Sequence, residues 1–469
     1  MTRFLGATRT LGTAVLAMSL LATGCGSKSS SPGGVVIIDP KVLLTQITAG
    51  IQQPTPRALA GWDWRSFIGN FSTLLTSIKF NYTLDMQKVT YQSTGADGQV
   101  HAMTGLLILP RSYSGAKPKV PILMYQHGSE TFRPYSPSQF LSHLNRPADY
   151  PEVMVAAAIA STGYAVAMAD YEGMGDNTST QPYVHGTTLA RQVVDMLRAS
   201  RDIIGGTSGS SSSPCSWNSQ LFLMGYSEGG YVTMTATREL QLNHAGEFTV
   251  TASAPLSGPH DLSGVMCQAM LSDSSSKAPY FLPFMLTGYR YASGGTLFSP
   301  DAVLASPYNG TIAPLFDGNS QSDKISEAMG MVFSPANQVR LIAPKSILTQ
   351  QFIDRLSLDS SPEFAFLKKN DSYRNPDSPN QDSAWVPTLP MRMYHHRSDD
   401  LVPYANSQVA FDAFSTAGAK SHVGRPGVEL MEESVSLNIS STDPLKTVHL
   451  GAAFPELSDG WNWLNRFKN

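Results

Sequence analysis

Residues 220–240 read Gln-Leu-Phe-Leu-Met-Gly-Tyr-Ser-Glu-Gly-Gly-Tyr-Val-Thr-Met-Thr-Ala-Thr-Arg-Glu-Leu. The first five residues form an apolar run typical of a buried strand, and the last eleven are typical of a helix. The pentapeptide between them has glycine at both ends, and glycine adopts backbone conformations that other residues avoid. The stretch therefore predicts a strand, a sharp turn and a helix, with the Ser227 hydroxyl exposed at the turn.

This arrangement resembles the nucleophile elbow of the α/β-hydrolases, in which Gly-x-Ser-x-Gly joins a strand to a helix and exposes a reactive serine. An ordinary Ser-Gly turn is the alternative, because the pentapeptide is common by chance. The flanking strand and helix favour the elbow, since the motif has its meaning only in that context. We therefore predict that Ser227 is the nucleophile of a serine hydrolase.

The rest of the chain supports the same fold class. Residues 82–92 and 100–109, with a turn between them, predict an antiparallel hairpin. Further short apolar runs alternate with helical stretches, which predicts a largely parallel sheet covered by helices on both faces. We assign strands to residues 120–125, 164–169, 221–224, 248–254, 390–394 and 428–431. The expected architecture is an α/β fold of the α/β-hydrolase type.

The alternation of strand and helix stops near Cys267 and resumes at Pro390. The intervening apolar segments are short and are separated by Pro, Gly and Ser, which favours a mostly helical cap over the active-site edge; a separate domain is the alternative. The predicted divisions are a signal peptide (1–24), a lipidated cysteine with tether and N-terminal wrap (25–80), core (81–266), cap (267–386) and core (387–469).

An activated serine needs a base and an acid, and in this fold they follow in the order Ser, Asp or Glu, His. Asp399 is the candidate acid, because it lies after the strand at 390–394 in a turn that resembles Asp-x-x-Val-Pro; Asp400 is its competitor. Two histidines follow. His422 precedes the next strand and should lie at the lower end of the sheet, whereas His449 follows that strand. We therefore predict His449 as the base.

Acyl transfer also needs hydrogen-bond donors for the oxyanion that forms when the serine attacks. Elbow geometry assigns one donor to the backbone N–H of Glu228. The second donor is predicted to be the N–H of Ser129, because Gln126-His-Gly-Ser129 follows a strand and resembles a His-Gly oxyanion loop. In that motif the side chain of His127 props the loop and is not the base.

No cofactor or metal ion is predicted. The segment Asp170-Tyr-Glu-Gly-Met-Gly175 contains two carboxylates, but it lacks the ligand number and spacing of a calcium loop. The chain has 33 basic and 36 acidic residues with no long run of either sign. We therefore expect no nucleic-acid partner.

The N-terminus carries the features of an export signal. Arg3 and Arg9 precede an apolar core, and Leu21-Ala-Thr-Gly-Cys25 resembles the lipobox of bacterial lipoproteins, except that Ala22 stands where leucine is usual. A plain secretory signal is the alternative. The lipobox implies that Cys25 carries lipid and anchors the protein to a membrane through a flexible tether. Gly26 after the cysteine points to the outer membrane by analogy with lipoprotein sorting.

Two further cysteines, Cys215 and Cys267, would face an oxidising compartment, which favours a disulfide between them. The predicted topology opposes it, because Cys215 precedes the elbow strand while Cys267 follows the upper end of the next strand. The sequence therefore leaves the pairing of these two cysteines open.

Several motifs together make the chain similar to the secretory lipase family, typified by fungal lipase A. The similarity covers roughly residues 80–467. The motifs are Gly-Tyr-Ser-x-Gly-Gly230, Asp-Tyr-Glu-Gly-x-Gly175, Asp195-Met-Leu-Arg-Ala199, Pro255-Leu-Ser-Gly-Pro259 with Asp261-Leu-Ser-Gly264, and Trp385-Val-Pro. The resemblance implies a carboxylic-ester hydrolase with a helical cap that forms the acyl-binding region. The His-Gly loop and the spacing from acid to base depart from the fungal pattern and suggest a bacterial esterase relative.

The predicted function is hydrolysis of a small-molecule or lipid ester through a Ser-Asp-His triad and an acyl-enzyme. A serine peptidase of the same fold is one alternative, with Glu327 or Asp354 of the cap as an anchor for a substrate amine. A surface lipoprotein that keeps the fold without catalysis is another.

Overall fold

The computed structural model describes residues 34–43, 78–206, 213–332, 340–378, 380, 382–419, 427–433 and 447–469. The predicted signal peptide, Cys25 and the tether lie outside these residues, as do His422 and most of the predicted N-terminal wrap. None of the helices within the described ranges is both long enough and apolar enough to cross a membrane.

A nine-stranded sheet runs through the described part of the chain. Its strands are β1 (Val36–Ile38), β2 (Tyr82–Thr94), β3 (Val100–Ser112), β4 (Lys119–Gln126), β5 (Ala165–Ala169), β6 (Ser216–Tyr226), β7 (Val250–Leu256), β8 (Pro390–His396) and β9 (Gly427–Glu433). They lie in the order β1-β2-β3-β5-β4-β6-β7-β8-β9. The first three strands pair antiparallel, and β3 also pairs antiparallel with β5, whereas β5, β4, β6, β7, β8 and β9 are parallel.

Helices cover both faces of this sheet. The strand β6 shows why, since Leu221 and Leu223 enter one apolar cluster while Phe222 and Met224 enter the other. The core helices are α1 (Pro151–Ala160), α2 (Gly186–Gly205), α3 (Glu228–Asn243), α11 (Ala405–Thr416) and α12 (Val448–Leu464). Residues of α2 and α3 complete the first cluster, and residues of α1 and α12 complete the second. The predicted α/β-hydrolase architecture is therefore confirmed.

The segment between β7 and β8 contributes no strand to the sheet in its described residues. It contains seven α-helices of 4 to 12 residues, joined by turns and isolated bridges. They are α4 (Cys267–Met270), α5 (Phe281–Ala292), α6 (Pro300–Val303), α7 (Tyr308–Thr311), α8 (Ser322–Ala328), α9 (Gln350–Leu356) and α10 (Pro362–Lys369). Their apolar side chains join the first core cluster. We call this segment the cap.

The disulfide considered between Cys215 and Cys267 is absent, because both residues are free thiols. Cys215 precedes β6 at its beginning, whereas Cys267 begins α4 beyond the end of β7. Since β6 and β7 are parallel, the two thiols lie toward opposite ends of the strands. Both are buried, and burial raises the pKa of Cys215 to about 12 and that of Cys267 to about 11.

The last helix is longer than its sequence indicates. Residues 460–467 are typical of a helix, but α12 begins at Val448, so that His449 lies in its first turn. Thr447 caps the helix by accepting a hydrogen bond from the Leu450 N–H at 3.1 Å. Pro455 lies inside the helix and obscured its length in the sequence, because proline usually marks a helix boundary.

Candidate active site

The turn at Ser227 is a strained strand-to-helix junction. Ser227 has φ 61° and ψ −122°, a conformation that non-glycine residues rarely adopt, and α3 begins directly after it. A side chain at Gly229 would place its Cβ 2.0 Å from the carbonyl oxygen of Gln126, and one at Gly225 would lie 2.5 Å from the same atom. Only glycine therefore lets α3 begin this close to β4. The Ser227 hydroxyl then lies at the edge formed by the carboxyl ends of the parallel strands.

Three side chains from distant parts of the chain meet at this edge. Nε2 of His449 lies 2.8 Å from Oγ of Ser227, and Nδ1 of His449 lies 2.6 Å from Oδ2 of Asp399. Asp399 follows β8, whereas His449 is fixed at the start of α12. The hydroxyl of Tyr226 also donates a hydrogen bond to the carbonyl oxygen of His449. The structure thus brings the predicted hydroxyl, imidazole and carboxylate into one relay.

The environment of Asp399 favours its ionised form. Its Oδ1 accepts hydrogen bonds from the N–H groups of Leu401 (2.9 Å) and Val402 (2.8 Å). Burial by itself would raise the pKa of Asp399, but the charge of His449, the nearby ring of His395 and the hydrogen bond from His449 lower it well below its usual range. A carboxylate that stays charged can orient the imidazole and stabilise the imidazolium.

His395 is a contact of the acid that the sequence did not reveal. Its Nε2 lies 2.8 Å from the carbonyl oxygen of Val402 and 3.4 Å from Oδ2 of Asp399, while its Nδ1 lies 2.8 Å from Oγ of Ser407. The carbonyl can only accept, so Nε2 carries a proton and points it toward the acid turn. His395 therefore helps to hold the turn that carries Asp399.

The competitor of Asp399 has a different position. Asp400 does not reach the imidazole; instead its Oδ1 accepts hydrogen bonds from the N–H groups of Val448 (2.9 Å) and His449 (3.3 Å). Of the two adjacent aspartates, Asp399 contacts the histidine ring and Asp400 contacts the backbone of the helix that carries the ring.

The loop after β4 approaches the nucleophile from the other side. Both carboxylate oxygens of Glu152 accept from the N–H of Gly128, at 3.1 and 3.0 Å, and hold this loop against α1. His127 is buried, stacks on Tyr171 and contacts the carbonyl oxygens of Gly128 and Asp170. Burial lowers the pKa of His127 to about 4, so that it is neutral near pH 7. His127 therefore props the loop, and Glu152 has a role that the sequence did not reveal.

The two predicted oxyanion donors lie beside the nucleophile. Because the N–H of Gly128 is bound to Glu152, the loop's candidate donor to a substrate is the N–H of Ser129, whose hydroxyl lies 2.8 Å from that of Tyr183. Glu228 is the first residue of α3, so its N–H lies at the positive end of the helix dipole. Ser129 lines the same cavity as Ser227, and Glu228 follows the nucleophile directly, while the roles of the two N–H groups stay predictions.

Two cavities meet at Ser227. The larger, of about 120 Å³, also contacts His449 and the oxyanion loop, and its wall mixes aromatic and polar side chains, including Glu130, Tyr135 and Lys277. The smaller, of about 60 Å³, is almost wholly apolar. It is lined by Tyr183, Val184, Pro259, Leu262, Met266, Met270, Phe281, Leu282, Met285, Leu401 and Val402. We call them the mixed lobe and the apolar lobe.

The two cap acids considered as amine anchors do not line either lobe. Glu327 pairs with Lys324, and Asp354 accepts a hydrogen bond from Gln350. Among the described residues, one group of possible metal ligands has its atoms within 4.8 Å of one another, namely Asp97, His101 and Glu172. This group also lies outside both lobes. His101 pairs with Asp97, and Glu172 accepts a hydrogen bond from the hydroxyl of Tyr291.

A buried carboxyl group lies next to the nucleophile. The side chain of Glu228 is fully buried, and neither of its oxygens has a hydrogen-bond partner among the described residues. Burial raises the pKa of Glu228 to about 8, and the charge of Glu152 acts in the same direction. Polar contacts with Ser129 and the Val184 backbone lower the pKa only in part, and neither has hydrogen-bond geometry. At pH 7 Glu228 is therefore mostly neutral.

We expect Glu228→Gln to change the pH dependence of stability. Between about pH 4.5 and 8 the unfolded protein has lost the Glu228 proton and the folded protein has kept it, so wild-type stability falls as pH rises, by about 1.4 kcal/mol per unit from this group. The variant lacks this loss and becomes progressively more stable than wild type toward pH 8. Urea unfolding at a series of pH values measures the difference. Glu327→Gln, at an exposed cap site, is the matched control, and parallel curves for wild type and Glu228→Gln would contradict the assignment.

The sheet and this edge together define an α/β-hydrolase fold with a Ser-His-Asp relay at the floor of a cleft. The model of the secretory lipase family matches residues 138–270, which confirms the predicted resemblance over the elbow and the elements before it. No curated protein matches the chain significantly by sequence.

Solved structures share the fold over most of the chain. A putative hydrolase from Legionella pneumophila is 22% identical, with a TM-score of 0.69, over 93% of this chain and 97% of that one. The rice cell wall degrading esterase LipA from Xanthomonas oryzae is 21% identical, with a TM-score of 0.68, over 85% and 95% of the two chains. Lipase A from Candida antarctica in its closed state is 16% identical, with a TM-score of 0.54, over 75% and 73%.

Proposed function

We propose that this protein is a serine carboxylic-ester hydrolase that acts through an acyl-enzyme. The relay of Ser227, His449 and Asp399, at 2.8 and 2.6 Å, is the observation that carries the proposal. The family match and the fold shared with esterases and a lipase support it. No other group of side chains in the described cleft offers a nucleophile with an adjacent oriented base.

The mechanism follows from these contacts. His449 takes the proton of Ser227 through Nε2 while Oγ attacks the ester carbonyl carbon. The carbonyl oxygen becomes an oxyanion and receives hydrogen bonds from the N–H groups of Glu228 and Ser129. Asp399 keeps the Nδ1 proton of His449 in place and stabilises the imidazolium. The imidazolium then protonates the departing alcohol, and water repeats the sequence on the acyl-enzyme to release the acid.

The transfer of a proton from His449 to the leaving alcohol also determines how the substrate lies in the cleft. The leaving alcohol must lie near Nε2 of His449 to receive its proton, and His449 lines the mixed lobe but not the apolar one. The alcohol is therefore assigned to the mixed lobe, whose polar groups suit a hydroxylated or otherwise polar alcohol. The acyl chain is assigned to the apolar lobe, whose small volume suits short and medium chains.

A panel of p-nitrophenyl esters and p-nitroanilides of matched acyl groups tests the proposed class. We expect turnover of the esters, with the highest kcat/KM at a short or medium chain, and no comparable turnover of the anilides. Anilide or peptide cleavage at a similar rate would favour the peptidase alternative. Absence of turnover on every ester would favour the non-catalytic alternative.

We expect Met285→Trp to shorten the preferred acyl chain, because the indole would fill part of the apolar lobe. Each methylene that loses its place in the lobe loses about 0.8 kcal/mol, so the ratio of kcat/KM for octanoate to that for acetate should fall at least about 10-fold. Turnover of the acetate ester should persist and reports that the variant is folded. Met431→Trp, on a partly exposed strand residue, is the matched control. An unchanged ratio in Met285→Trp would mean that the acyl chain lies elsewhere.

For the cellular setting we propose an exported lipoprotein held to a membrane through Cys25. The lipobox-like sequence supports this proposal, and the match to a secretory family supports export.

A further inference from the structure

The carboxylate of Asp400 joins three parts of the molecule. One oxygen, Oδ1, accepts the N–H groups of Val448 and His449, the first two residues of α12. The other, Oδ2, lies 3.0 Å from Nζ of Lys277, which belongs to the cap. The residue itself follows the acid Asp399 in the turn after β8. A single residue of the acid turn therefore contacts both the helix of the base and the cap.

The contacts to α12 determine where the imidazole lies. The first N–H groups of a helix have no partner within the helix, so a carboxylate that accepts two of them fixes the position and direction of the first turn. His449 is the second residue of that turn, and its ring must reach Ser227 and Asp399 at the same time. Loss of the Asp400 carboxylate would leave the ring attached to a less restrained backbone.

The contact to Lys277 links this support to the cap. The segment that carries Lys277 is held within the cap, because the N–H of Ser276 donates to the carbonyl oxygen of Ile342 at 2.9 Å and the N–H of Ala278 donates to Oγ of Ser276 at 3.1 Å. Lys277 and Ala278 also line the mixed lobe. The ion pair therefore joins a cap segment that borders the cleft to the turn after β8.

We propose that Asp400 is a positioning residue that keeps the imidazole of His449 within hydrogen-bond distance of the Ser227 hydroxyl. Its ion pair with Lys277 makes this alignment depend on the position of the cap. The proposal rests on the proposed function, because it concerns the same relay. It assigns to the cap an effect on kcat in addition to any effect on substrate binding. A closed cap would thus align the relay at the time when substrate occupies the lobes.

Several charged groups surround the relay. Asp399 contacts the imidazole, Asp400 contacts the backbone of His449, and Lys277 pairs with Asp400. Glu130 and Glu152 line the same cavity as His449, and Glu456 lies on α12 itself, with Oε2 bound to the Ser257 hydroxyl at 2.8 Å. The variants change only Lys277 and Asp400, so the other charges stay constant.

The test compares variants of the full-length mature protein by kcat, KM and the acidic midpoint of the kcat/KM profile on one ester. Asp400→Ala removes both N–H contacts, and we expect kcat to fall about 10-fold with KM within about 2-fold. Asp400→Asn keeps an oxygen that accepts both N–H groups, so kcat should return to within about 3-fold of wild type. Its acidic midpoint should move down by about 0.5 pH unit, because a negative charge near the imidazolium is lost.

Lys277→Met tests the link to the cap. We expect kcat to fall about 3-fold and the acidic midpoint to move up, since Asp400 loses its counter-charge. In the Asp400→Ala background the same change should have no further effect on kcat, because Lys277 acts through Asp400. Lys345→Met is the matched control, since Lys345 pairs with Asp273 within the cap at 3.2 Å and lies outside both lobes.

Two results would overturn the proposal. One is wild-type kcat and midpoint in a folded Asp400→Ala variant. The other is a loss of kcat on Lys277→Met that is equally large with and without the Asp400 carboxylate. Failure of the proposed function is a separate outcome, because it would appear as turnover that survives Ser227→Ala or as no ester turnover in the wild type.

Discussion

Replacement of Ser227 by alanine is expected to lower kcat for ester hydrolysis by about 10⁵-fold, to the background of the assay. The variant keeps the cleft, the oxyanion donors and the base but has no atom that can form the acyl-enzyme. The fall should be in kcat, with little change in ester binding, because the lobes that hold the substrate are unaltered. Turnover of p-nitrophenyl butyrate by purified protein measures it.

The strand that leads to Ser227 supplies a matched control. Ser219 has φ 73°, similar to the 61° of Ser227, and is exposed toward the start of β6. Ser219→Ala therefore introduces alanine at a similar positive φ outside the cleft, and it should keep wild-type kcat. Ester turnover that persists in Ser227→Ala would show that Ser227 is not the nucleophile.

The second large effect is expected for Asp399→Asn, with a fall in kcat of about 10³- to 10⁴-fold. The amide keeps the size of the carboxylate, but it loses the charge that stabilises the imidazolium. Its NH₂ group can also turn toward Nδ1 of His449 and favour the wrong tautomer. The thermal transition should stay close to that of wild type, because Asn can still accept from the N–H groups of Leu401 and Val402.

Comparison with Asp400→Asn separates the two adjacent aspartates. The ring of His449 contacts Asp399 at 2.6 Å, whereas Asp400 contacts only the backbone, so the second variant should lose at most about 3-fold in kcat. Equal losses in both variants, or a greater loss for Asp400, would contradict the assignment of the acid.

The elbow and the relay could be predicted from sequence, because the elbow is a short local motif and the relay residues follow a chain order that the fold fixes. Gly225 and Gly229 flank Ser227 within five residues, and the order of the fold restricts the base to the two histidines after Asp399. The six parallel strands were also visible as apolar runs, since parallel strands are buried on both faces, whereas the short edge strand β1 was not predicted. These signals do not require knowledge of which distant residues touch.

The remaining features depend on long-range contacts. Glu152 and His395 support the site through partners that the sequence does not identify, and Asp400 is bound to residues almost 50 positions away. The start of α12 was missed because Pro455 suggests a boundary, while the capping threonine at 447 is a weak signal alone. The path of the cap could not be predicted either, because helices of 4 to 12 residues carry little periodicity.

Covalent labelling shows directly which residue is the nucleophile. The protein is treated with a fluorophosphonate, digested and analysed by mass spectrometry, and Ser227→Ala and His449→Ala are treated in the same way. We expect one adduct, on Oγ of Ser227, which is absent from Ser227→Ala and forms far more slowly in His449→Ala. An adduct on another residue, or ester turnover that continues after Ser227 is fully labelled, would contradict this assignment.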